Sequence, residues 1–273
     1  MDKTVNVNEE NAAKAFSKQA AVFDQYDAGN TIIQYKRRRV RERVERELSP
    51  GSAILELNAG TGQDSVYFAT LGHHVHATDI APGMLEALRM KVENQRLTDR
   101  VTQELCSFTQ LDRLHGKGPY DLVLSNFAGL NCTDELDKVL RSLPALLKPG
   151  GRAVLVILPP FCLWETLLLF KGKFRTAFRR LFARSGARSH IEGHYFKCWY
   201  YSPAYITRCL ADSFEMIGLE GLCTIVPPSY IEHFAERYPG LYQMLCKKED
   251  RLKGKWPWRN IGDYFIMTLR KKD

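Results

Sequence analysis

The sequence predicts an α/β fold built on a parallel sheet, and the ends of two predicted strands carry that prediction. An apolar run over 53–57 leads into Gly60 and Gly62, after which the chain has helical character. A short apolar run that ends in turn residues is typical of a buried strand. A second strand, 74–79, ends in Asp79, 17 residues after Gly62. An acidic residue about 20 residues past a glycine turn, at the end of the next strand, is how a βαβ unit holds the hydroxyls of a ribose.

The residues of the turn narrow the kind of nucleoside that the chain is predicted to bind. Gly60 and Gly62 permit main-chain conformations that side chains forbid, and they let a ligand approach the backbone. A dinucleotide site would have a further glycine at position 65, where this chain has Ser65. Glu56, at the end of the first strand, would repel a pyrophosphate and suits a cationic amino group instead. The alternative is an ordinary glycine turn in another kind of α/β protein, because short motifs produce false positives.

Four segments resemble the class I S-adenosylmethionine-dependent methyltransferases in the expected order. Residues 53–62 resemble motif I and depart from it at Asn58, where the family usually has glycine; asparagine tolerates a positive φ better than most residues. Residues 121–126 look like motif IV, 143–158 like the helix, Pro-Gly-Gly turn and fifth strand, and 262–269 like the antiparallel strand that closes the sheet. The resemblance implies a Rossmann-like sheet of seven strands in the order 3-2-1-4-5-7-6, with the last strand antiparallel. Helices cover both faces in that fold, and a helical insert follows strand 5.

The same resemblance implies S-adenosylmethionine as the cofactor, with S-adenosylhomocysteine as the product, and assigns residues to it. Glu56 and Gly60 are expected to meet the methionine end, and Asp79 is expected to accept both ribose hydroxyls. Ile80 is expected to cover one face of the adenine, and the segment after the third strand to meet its edge. The full predicted cofactor set is Tyr26, Glu56, Asn58, Ala59, Gly60, Gly62, Asp79, Ile80, Cys106, Ser107, Phe108 and Asn126.

The part of the chain before the first strand is predicted to be a helical lid segment, 1–48, ahead of a methyltransferase domain, 49–273. Tyr26 lies in a stretch that resembles the Phe-Asp…Tyr-Asp lead-in of small-molecule methyltransferases, whose aromatic residue covers the cofactor. The alternative for Tyr26 is a helix end packed on the sheet. Residues 30–48 are strongly basic, with glutamates four residues after several arginines, and this pattern favours a solvated helix face.

Residues 159–212 are predicted to be a substrate-recognition insert, because family members commonly place one after the fifth strand. Between 171 and 197 there are eight basic residues and one acidic residue, against a formal net charge of +8 for the whole chain. Aromatic residues at helical spacing lie among them, which predicts a basic amphipathic helix. Three interpretations stay open: contact of 161–188 with an anionic membrane, a lid over an acidic or carrier-bound substrate, and an apolar face packed on the sheet.

Two histidines are the candidate catalytic residues. Methyl transfer mainly requires that donor and acceptor are aligned and water excluded, whereas an oxygen acceptor usually also needs a base. His194 is the first candidate for that base and His190 the second, both in an aromatic stretch that predicts a strand or hairpin. A lone histidine in such a strand is more often structural, and a carbon acceptor on an activated phenol ring needs no strong base. The residue after Asn126 is phenylalanine rather than the proline found in methyltransferases of exocyclic amines.

Composition and local pattern exclude several other classes. The first ten residues lack the apolar core of a signal peptide, and no apolar stretch reaches the ~18 residues of a membrane span. The seven cysteines are irregularly spaced and include no Cys-x-x-Cys pair, which predicts reduced thiols and no metal site. A cytoplasmic protein is therefore predicted, with peripheral contact at the inner membrane face as the one membrane association considered.

These patterns together predict a methyltransferase that modifies an oxygen or carbon atom of a small, apolar or aromatic acceptor. Enzymes of lipoquinone and natural-product tailoring are the nearest analogues. Nucleic-acid methylation is the second hypothesis, prompted by a sequence pI of 9.1, but no separate nucleic-acid-binding module is visible. A non-catalytic protein that binds the cofactor at a membrane surface is the third.

Overall fold

The computed structural model describes residues 6–183, 185–231 and 233–273. Residues 1–5 of the predicted lid segment and Arg184 of the predicted basic helix lie outside these ranges. The helices are α1 (Val7–Ala28), α2 (Thr31–Glu45), α3 (Gln63–Thr70), α4 (Pro82–Asn94), α5 (Leu136–Leu146), α6 (Leu163–Leu167), α7 (Phe174–Phe178), α8 (Pro203–Cys209), α9 (Phe234–Arg237) and α10 (Pro239–Leu252). The strands are β1 (Ala53–Leu57), β2 (His74–Asp79), β3 (Val101–Leu105), β4 (Tyr120–Ser125), β5 (Leu147–Ile157), β6 (Ala187–Ile191), β7 (His194–Cys198), β8 (Phe214–Leu222) and β9 (Tyr264–Lys271). Short 3-10 helices cover Phe108–Arg113, Gly129–Cys132, Leu168–Lys171 and Trp258–Asn260.

Seven of these strands form one sheet in the order β3-β2-β1-β4-β5-β9-β8. Strands β1 to β5 pair in parallel, and β9 runs antiparallel to both β5 and β8. Strands β6 and β7 form a separate antiparallel hairpin within the insert. When the hairpin is left out of the numbering, the order is 3-2-1-4-5-7-6, so the predicted fold class is confirmed.

Both faces of the sheet are covered, because alternate residues of the central strands point to opposite sides. In β1, Ile54 packs with residues of α2, whereas Leu55 packs with residues of α5. Helix α5 turns its apolar residues to the sheet at helical spacing, namely Leu136, Val139, Leu140, Leu143 and Leu146. A ligand therefore reaches the sheet most directly at the carboxyl ends of the parallel strands.

The basic segment 30–48 forms α2, and the prediction of a solvated face is wrong for three of its cations. Lys36, Arg37 and Arg39 are buried, because α2 packs on the sheet through its own core residues, which include Val40 and Val44. Their partners come from distant parts of the chain: Asp263 for Lys36, Asp27 and Asp64 for Arg37, and Glu220 for Arg39. A buried charge is tolerated only when it is paired, so these contacts join α2 to the rest of the fold.

The predicted basic helix over 171–197 is not continuous. The chain forms the short helices α6 and α7, with Gly172 at φ 70° between them, and then the β6–β7 hairpin. A glycine in the left-handed region is a common way to end a helix, and it interrupts the amphipathic pattern here. Arg180 is buried and donates to Glu165 and to Asp263 at 2.8 and 2.7 Å instead of facing water.

Local signals in the insert were read correctly where they involve neighbouring residues. The predicted hairpin is present as β6 and β7. Ser202 caps α8 by accepting a hydrogen bond from the Tyr205 N–H at 3.2 Å, and Pro203 occupies the first helical position. Within the described part of the chain, no helix is both long enough and apolar enough to cross a bilayer.

Candidate functional site

A cavity of about 120 Å³ lies at the carboxyl ends of β1, β2 and β4, between the sheet and α1. Residues of the loop after β1, the end of β2 and the loop after β4 form its floor, and residues of α1 cover it. The strand order changes direction between β1 and β4, and open α/β sheets bind ligands at such a switch point.

The glycine turn after β1 is held by Asp79. One carboxylate oxygen, Oδ2, accepts the Gly60 N–H at 2.8 Å, and the other, Oδ1, accepts the Ala81 N–H at 2.8 Å. Gly60 has φ 58°, and a Cβ added there would meet nothing within 4 Å, so its main chain faces open space. Gly62 has φ 73°, and a Cβ there would lie 2.0 Å from Leu88 Cδ1. The first glycine thus leaves room above the turn, and the second lets the turn pack against α4.

Asn58 stands where motif I usually has glycine, and its side chain makes two hydrogen bonds that glycine would lack. Its φ is 48°, in the left-handed region that asparagine tolerates. Its Nδ2 donates to the Asn126 carbonyl at 2.8 Å, and its Oδ1 accepts from Ser125 Oγ at 2.6 Å. The side chain therefore ties the β1 loop to the end of β4, which glycine has no atoms to do.

Two carboxylates and two arginines meet at the end of β1. Glu56 is 2% exposed, and burial, followed by the neighbouring Asp64 carboxylate, raises the pKa of Glu56 to about 8. Burial acts in the same direction on Asp64, but Arg37 and Arg41, at 2.8 and 2.7 Å, hold the pKa of Asp64 below its ordinary value. The cluster therefore holds Asp64 in the ionised form and favours the protonated form of Glu56.

Arg37 closes the same end of the cavity. Its guanidinium lies 4.6 Å from the centre of the Phe127 ring, and it pairs with Asp27 and Asp64. Its Nε is buried, and no acceptor in the described ranges meets it. Arg37 and Phe127 both line the cavity, so one buried N–H of a cation lacks a partner at its edge.

The cavity brings together most of the predicted cofactor residues, namely Glu56, Asn58, Ala59, Gly60, Asp79, Ile80, Phe108 and Asn126. Cys106 and Ser107 are buried but are not among the lining residues. Gly62 lies behind the turn, against α4. Tyr26 is 56% exposed and lines a neighbouring groove with Asn30 and His233.

Several lining residues were not predicted from the sequence. Glu9, Ala12, Phe16 and Phe23 come from α1, and Arg37 comes from α2. Phe23 belongs to the same aromatic-acidic lead-in as Tyr26, one helical turn earlier, so that motif contained a signal for it. The others carry no local pattern, because only the packing of α1 across the strand ends brings them to the cavity.

The two predicted catalytic histidines lie on the hairpin, outside this cavity. His190 is exposed, with its ring centre 4.4 Å from that of Tyr195. His194 lines a second, more open groove together with Lys14, Lys18 and Ile80. In the described ranges no histidine lines the main cavity, and Ile80 is the residue that the two depressions share.

A cluster of possible metal ligands lies away from the cavity, beside α6. Ligand atoms of Cys162, Glu165 and Asp263 lie within 4.8 Å of one another, and all three residues are buried. Arg180 donates to both carboxylates, so its guanidinium occupies the position that a cation would take. The cluster therefore serves to hold the insert on the sheet.

Comparison with known proteins identifies a methyltransferase domain in part of the chain. Residues 54–151 match the family model described as a methyltransferase domain. The chain is 36% identical over 143 residues to a demethylmenaquinone methyltransferase of Clavibacter sepedonicus, a match that covers 50% of this chain and 56% of that protein. The chain thus spans little more than half the length of that relative.

Two solved structures share the fold over nearly the whole chain. One is the 1,6-didemethyltoxoflavin-N1-methyltransferase of Burkholderia thailandensis, with bound 1,6-didemethyltoxoflavin and S-adenosylhomocysteine, at TM-score 0.56, 18% identity, and coverage of 100% of this chain and 94% of that one. The other is the [4+2]-cyclase SpnF, at TM-score 0.63, 16% identity and coverage of 98% of each chain. Residues 54–151 thus match a methyltransferase domain, and the sheet order and these two structures show that the chain as a whole has the fold of the class I S-adenosylmethionine-dependent methyltransferases.

Proposed function

We propose that the chain transfers a methyl group from S-adenosylmethionine to an oxygen or carbon atom of a small, apolar or aromatic acceptor. The observation that carries the proposal is the pair of buried carboxylates, Glu56 and Asp79, at the ends of adjacent strands on either side of an open glycine turn. One suits an ammonium group and the other suits ribose hydroxyls. A sulfonium nucleoside with an amino-acid side chain contains both groups.

The residues of the cavity fit this cofactor by charge and by shape. Asp79 would accept the two ribose hydroxyls, since its two carboxylate oxygens have acceptor capacity beyond the backbone N–H groups that they meet. Ile80 and Phe108 are the apolar surfaces for the adenine, and Gly60 leaves space for close approach of the ligand to the main chain. Arg37, with its unpartnered Nε, suits the methionine carboxylate.

The bound cofactor supplies an activated methyl group, so the protein needs to align the acceptor and exclude water. Phe16, Phe23 and Phe127 line the cavity and provide apolar surface for that purpose. We propose that α1 and α2, within the predicted segment 1–48, cover the cofactor, and that the insert 159–212 contributes to acceptor recognition. His194 would serve as a base only for an acceptor that reaches across Ile80 into its groove.

The acceptor class is supported by the relatives and by the lining. The curated relative is named for demethylmenaquinone, which carries an aromatic ring system on an apolar tail. In its reduced form such a ring is an activated phenol, whose carbon atoms need no strong base for methylation, and this suits a cavity that no described histidine lines. We therefore favour a lipophilic quinol or phenol.

Nucleic-acid methylation is less well supported. The positive formal charge that prompted it includes Lys36, Arg37 and Arg39, which are buried and paired. Cations in such pairs are not available to phosphates at the surface. One observation supports the hypothesis of a non-catalytic function. A [4+2]-cyclase shares the fold of this chain, and a fold does not by itself imply a methyltransferase activity.

The proposed function is tested in two steps with the purified full chain. We expect calorimetric titration with S-adenosylhomocysteine to give saturable binding. We then expect transfer of labelled methyl from S-adenosylmethionine to a panel of reduced quinols and phenols, with naphthoquinols preferred over single-ring phenols and over RNA. Absence of binding would refute the proposal. Binding without transfer to any acceptor, RNA included, would favour the non-catalytic hypothesis.

We also propose that the insert contacts an anionic membrane surface, through an apolar patch made by α6, α7 and the turns beside them. The patch consists of six exposed apolar side chains within 16 residues, namely Leu167, Phe170, Phe174, Phe178, Leu181 and Phe182. Phe170 and Phe182 are 87% and 79% exposed. Lys173, Arg175 and Arg188 are exposed among or beside them. Aromatic side chains flanked by cations suit the interface of a bilayer with anionic lipids.

Removal of the patch is expected to lower membrane binding without unfolding the chain. The double variant Phe170→Ser/Phe182→Ser should bind vesicles of mixed zwitterionic and anionic lipids at least about fivefold less tightly, because each phenylalanine loses part of its transfer free energy. The measurement is vesicle co-sedimentation at low and at physiological salt. A matched control, Leu241→Ser/Met244→Ser, removes two exposed apolar side chains from α10 and should bind like the wild type. Equal binding by the two double variants would contradict the proposal.

A further inference from the structure

A carboxylate of α1 is buried at the edge of the cavity. Glu9 is 1% exposed, lies in the first turn of α1, and lines the cavity together with Ala12, Ile80 and Phe108. Helix α1 is held there by Asn8, whose side chain bonds to the main chain at Cys132 and Lys197. Burial of a carboxylate is costly unless both of its oxygens find partners.

The hydrogen-bond partners of Glu9 satisfy one carboxylate oxygen and leave the other without a donor in the described ranges. Its Oε2 accepts hydrogen bonds from Ser107 Oγ and, at 3.1 Å, from Thr109 Oγ1. Thr133 also approaches the carboxylate, but no donor in the described ranges meets Oε1 within hydrogen-bonding geometry. Burial raises the pKa of Glu9, and the hydroxyl groups oppose that shift.

The surroundings of Glu9 indicate what the free oxygen would accept. Ile80 and Phe108 are the apolar surfaces that the proposed function gives to the adenine, and Glu9 lines the cavity beside them. A flat aromatic ring between apolar side chains has its polar groups at its edge, where the exocyclic amino group of adenine is a donor. The side chains that the sequence assigns to that edge, Cys106 and Ser107, do not line the cavity.

We infer that Glu9 accepts the exocyclic amino group of the adenine through Oε1 and thereby selects adenine over purines that lack an amino group there. The inference rests on the proposed function. It makes the first turn of α1 a part of the cofactor site, because the residue that reads the base comes from the helix that covers it. The hydrogen bond from Ser107 to Glu9 joins positions 98 residues apart and so fixes this carboxylate of α1 at the end of the segment after β3.

The experiment compares two ligands that differ along one edge of the base. S-Inosylhomocysteine carries a carbonyl oxygen where S-adenosylhomocysteine carries the amino group, and a hydrogen on the adjacent ring nitrogen N1. The carbonyl oxygen would face Glu9 as a second acceptor, and a preference that arises at N1 would remain in the Glu9 variants. We expect the wild type to bind the adenosyl compound at least about tenfold more tightly in calorimetry, since an unpaired buried charge replaces a charge-assisted hydrogen bond. In Glu9→Ala the preference should fall to less than about threefold. In Glu9→Gln, whose amide can also donate, it should fall as well.

The neighbouring exposed residue provides the matched control, because Glu10→Ala removes an acidic side chain one position along the same helix. This variant should keep the wild-type preference. If Glu9 only anchors α1, Glu9→Ala will lower the unfolding temperature and weaken both ligands alike, and the inference is overturned. Should Glu9→Ala fail to fold, the near-isosteric Glu9→Gln decides: an unchanged preference overturns the inference, and a reduced one supports it. No binding of either ligand by the wild type would instead refute the proposed function and this inference with it.

Discussion

Replacement of Asp79 by alanine is expected to lower the affinity for S-adenosylhomocysteine by roughly 100-fold. The carboxylate is the proposed acceptor of two ribose hydroxyls, and a hydrogen bond to a charged group is worth about 1.5–3 kcal/mol. It also holds the glycine turn, since the Gly60 and Ala81 N–H groups both donate to it. Truncation thus removes the ribose contacts and the anchor of the turn. Calorimetric titration at neutral pH measures the loss.

The control for this variant is Asp99→Ala, which removes an exposed aspartate from the turn before β3 and should bind like the wild type. Asp79→Asn separates the two contributions to the loss. Its amide nitrogen would face one of the two backbone N–H donors, so we expect an affinity loss of similar size. Wild-type affinity in Asp79→Ala, in a protein that remains folded, would refute the assignment of the ribose to β2.

The affinity for S-adenosylhomocysteine is expected to depend strongly on pH through Glu56. Burial and the Asp64 carboxylate raise the pKa of Glu56 to about 8 in the free protein. A bound ammonium group favours the ionised form, so the complex holds fewer protons than the free protein. Affinity should therefore rise with pH, by up to roughly tenfold per pH unit below 8, and level off above that value.

Two readouts test this linkage. Titrations at pH 6, 7, 8 and 9, in buffers of different ionisation enthalpy, should show release of about one proton on binding at pH 6, about half a proton near pH 8 and roughly a tenth of a proton at pH 9. Glu56→Gln should bind more weakly at pH 8, because it lacks the charge for the ammonium, and should lose most of the pH dependence. The same slope in wild type and Glu56→Gln would assign the linkage to another group and contradict the methionine assignment.

The local parts of the fold and of the site were predictable because their signals lie within a few residues. The run that forms β1, the glycines at 60 and 62 and the acidic end of β2 are set by chain spacing, and the structure brings them to one cavity. The cap of α8 at Ser202 follows from the chemistry of two neighbouring residues. The order of the strands was predictable only through the resemblance to a family, because it depends on pairings between distant segments.

The two wrong predictions of secondary structure and burial, for α2 and for the insert, share one physical cause. The sequence predicts a solvated face for the cations of α2, because glutamates are their neighbours along the chain. In the structure Arg37 and Lys36 are buried against carboxylates at positions 64 and 263. The sequence also predicts one basic amphipathic helix over 171–197. In the structure Gly172 interrupts that helix, and Arg180 is turned inward to Glu165. Burial in each example depends on partners that no local window contains.

By itself the sequence determined the class of fold, the glycine turn and the two acidic strand ends, since these depend on the period and spacing of neighbouring residues. Only the tertiary structure decided what covers the cavity. It placed Glu9, Phe23 and Arg37 there, and it left His190 and His194 outside. The reason is that α1 and α2 reach the strand ends through packing and ion pairs across long chain separations, which local patterns do not encode.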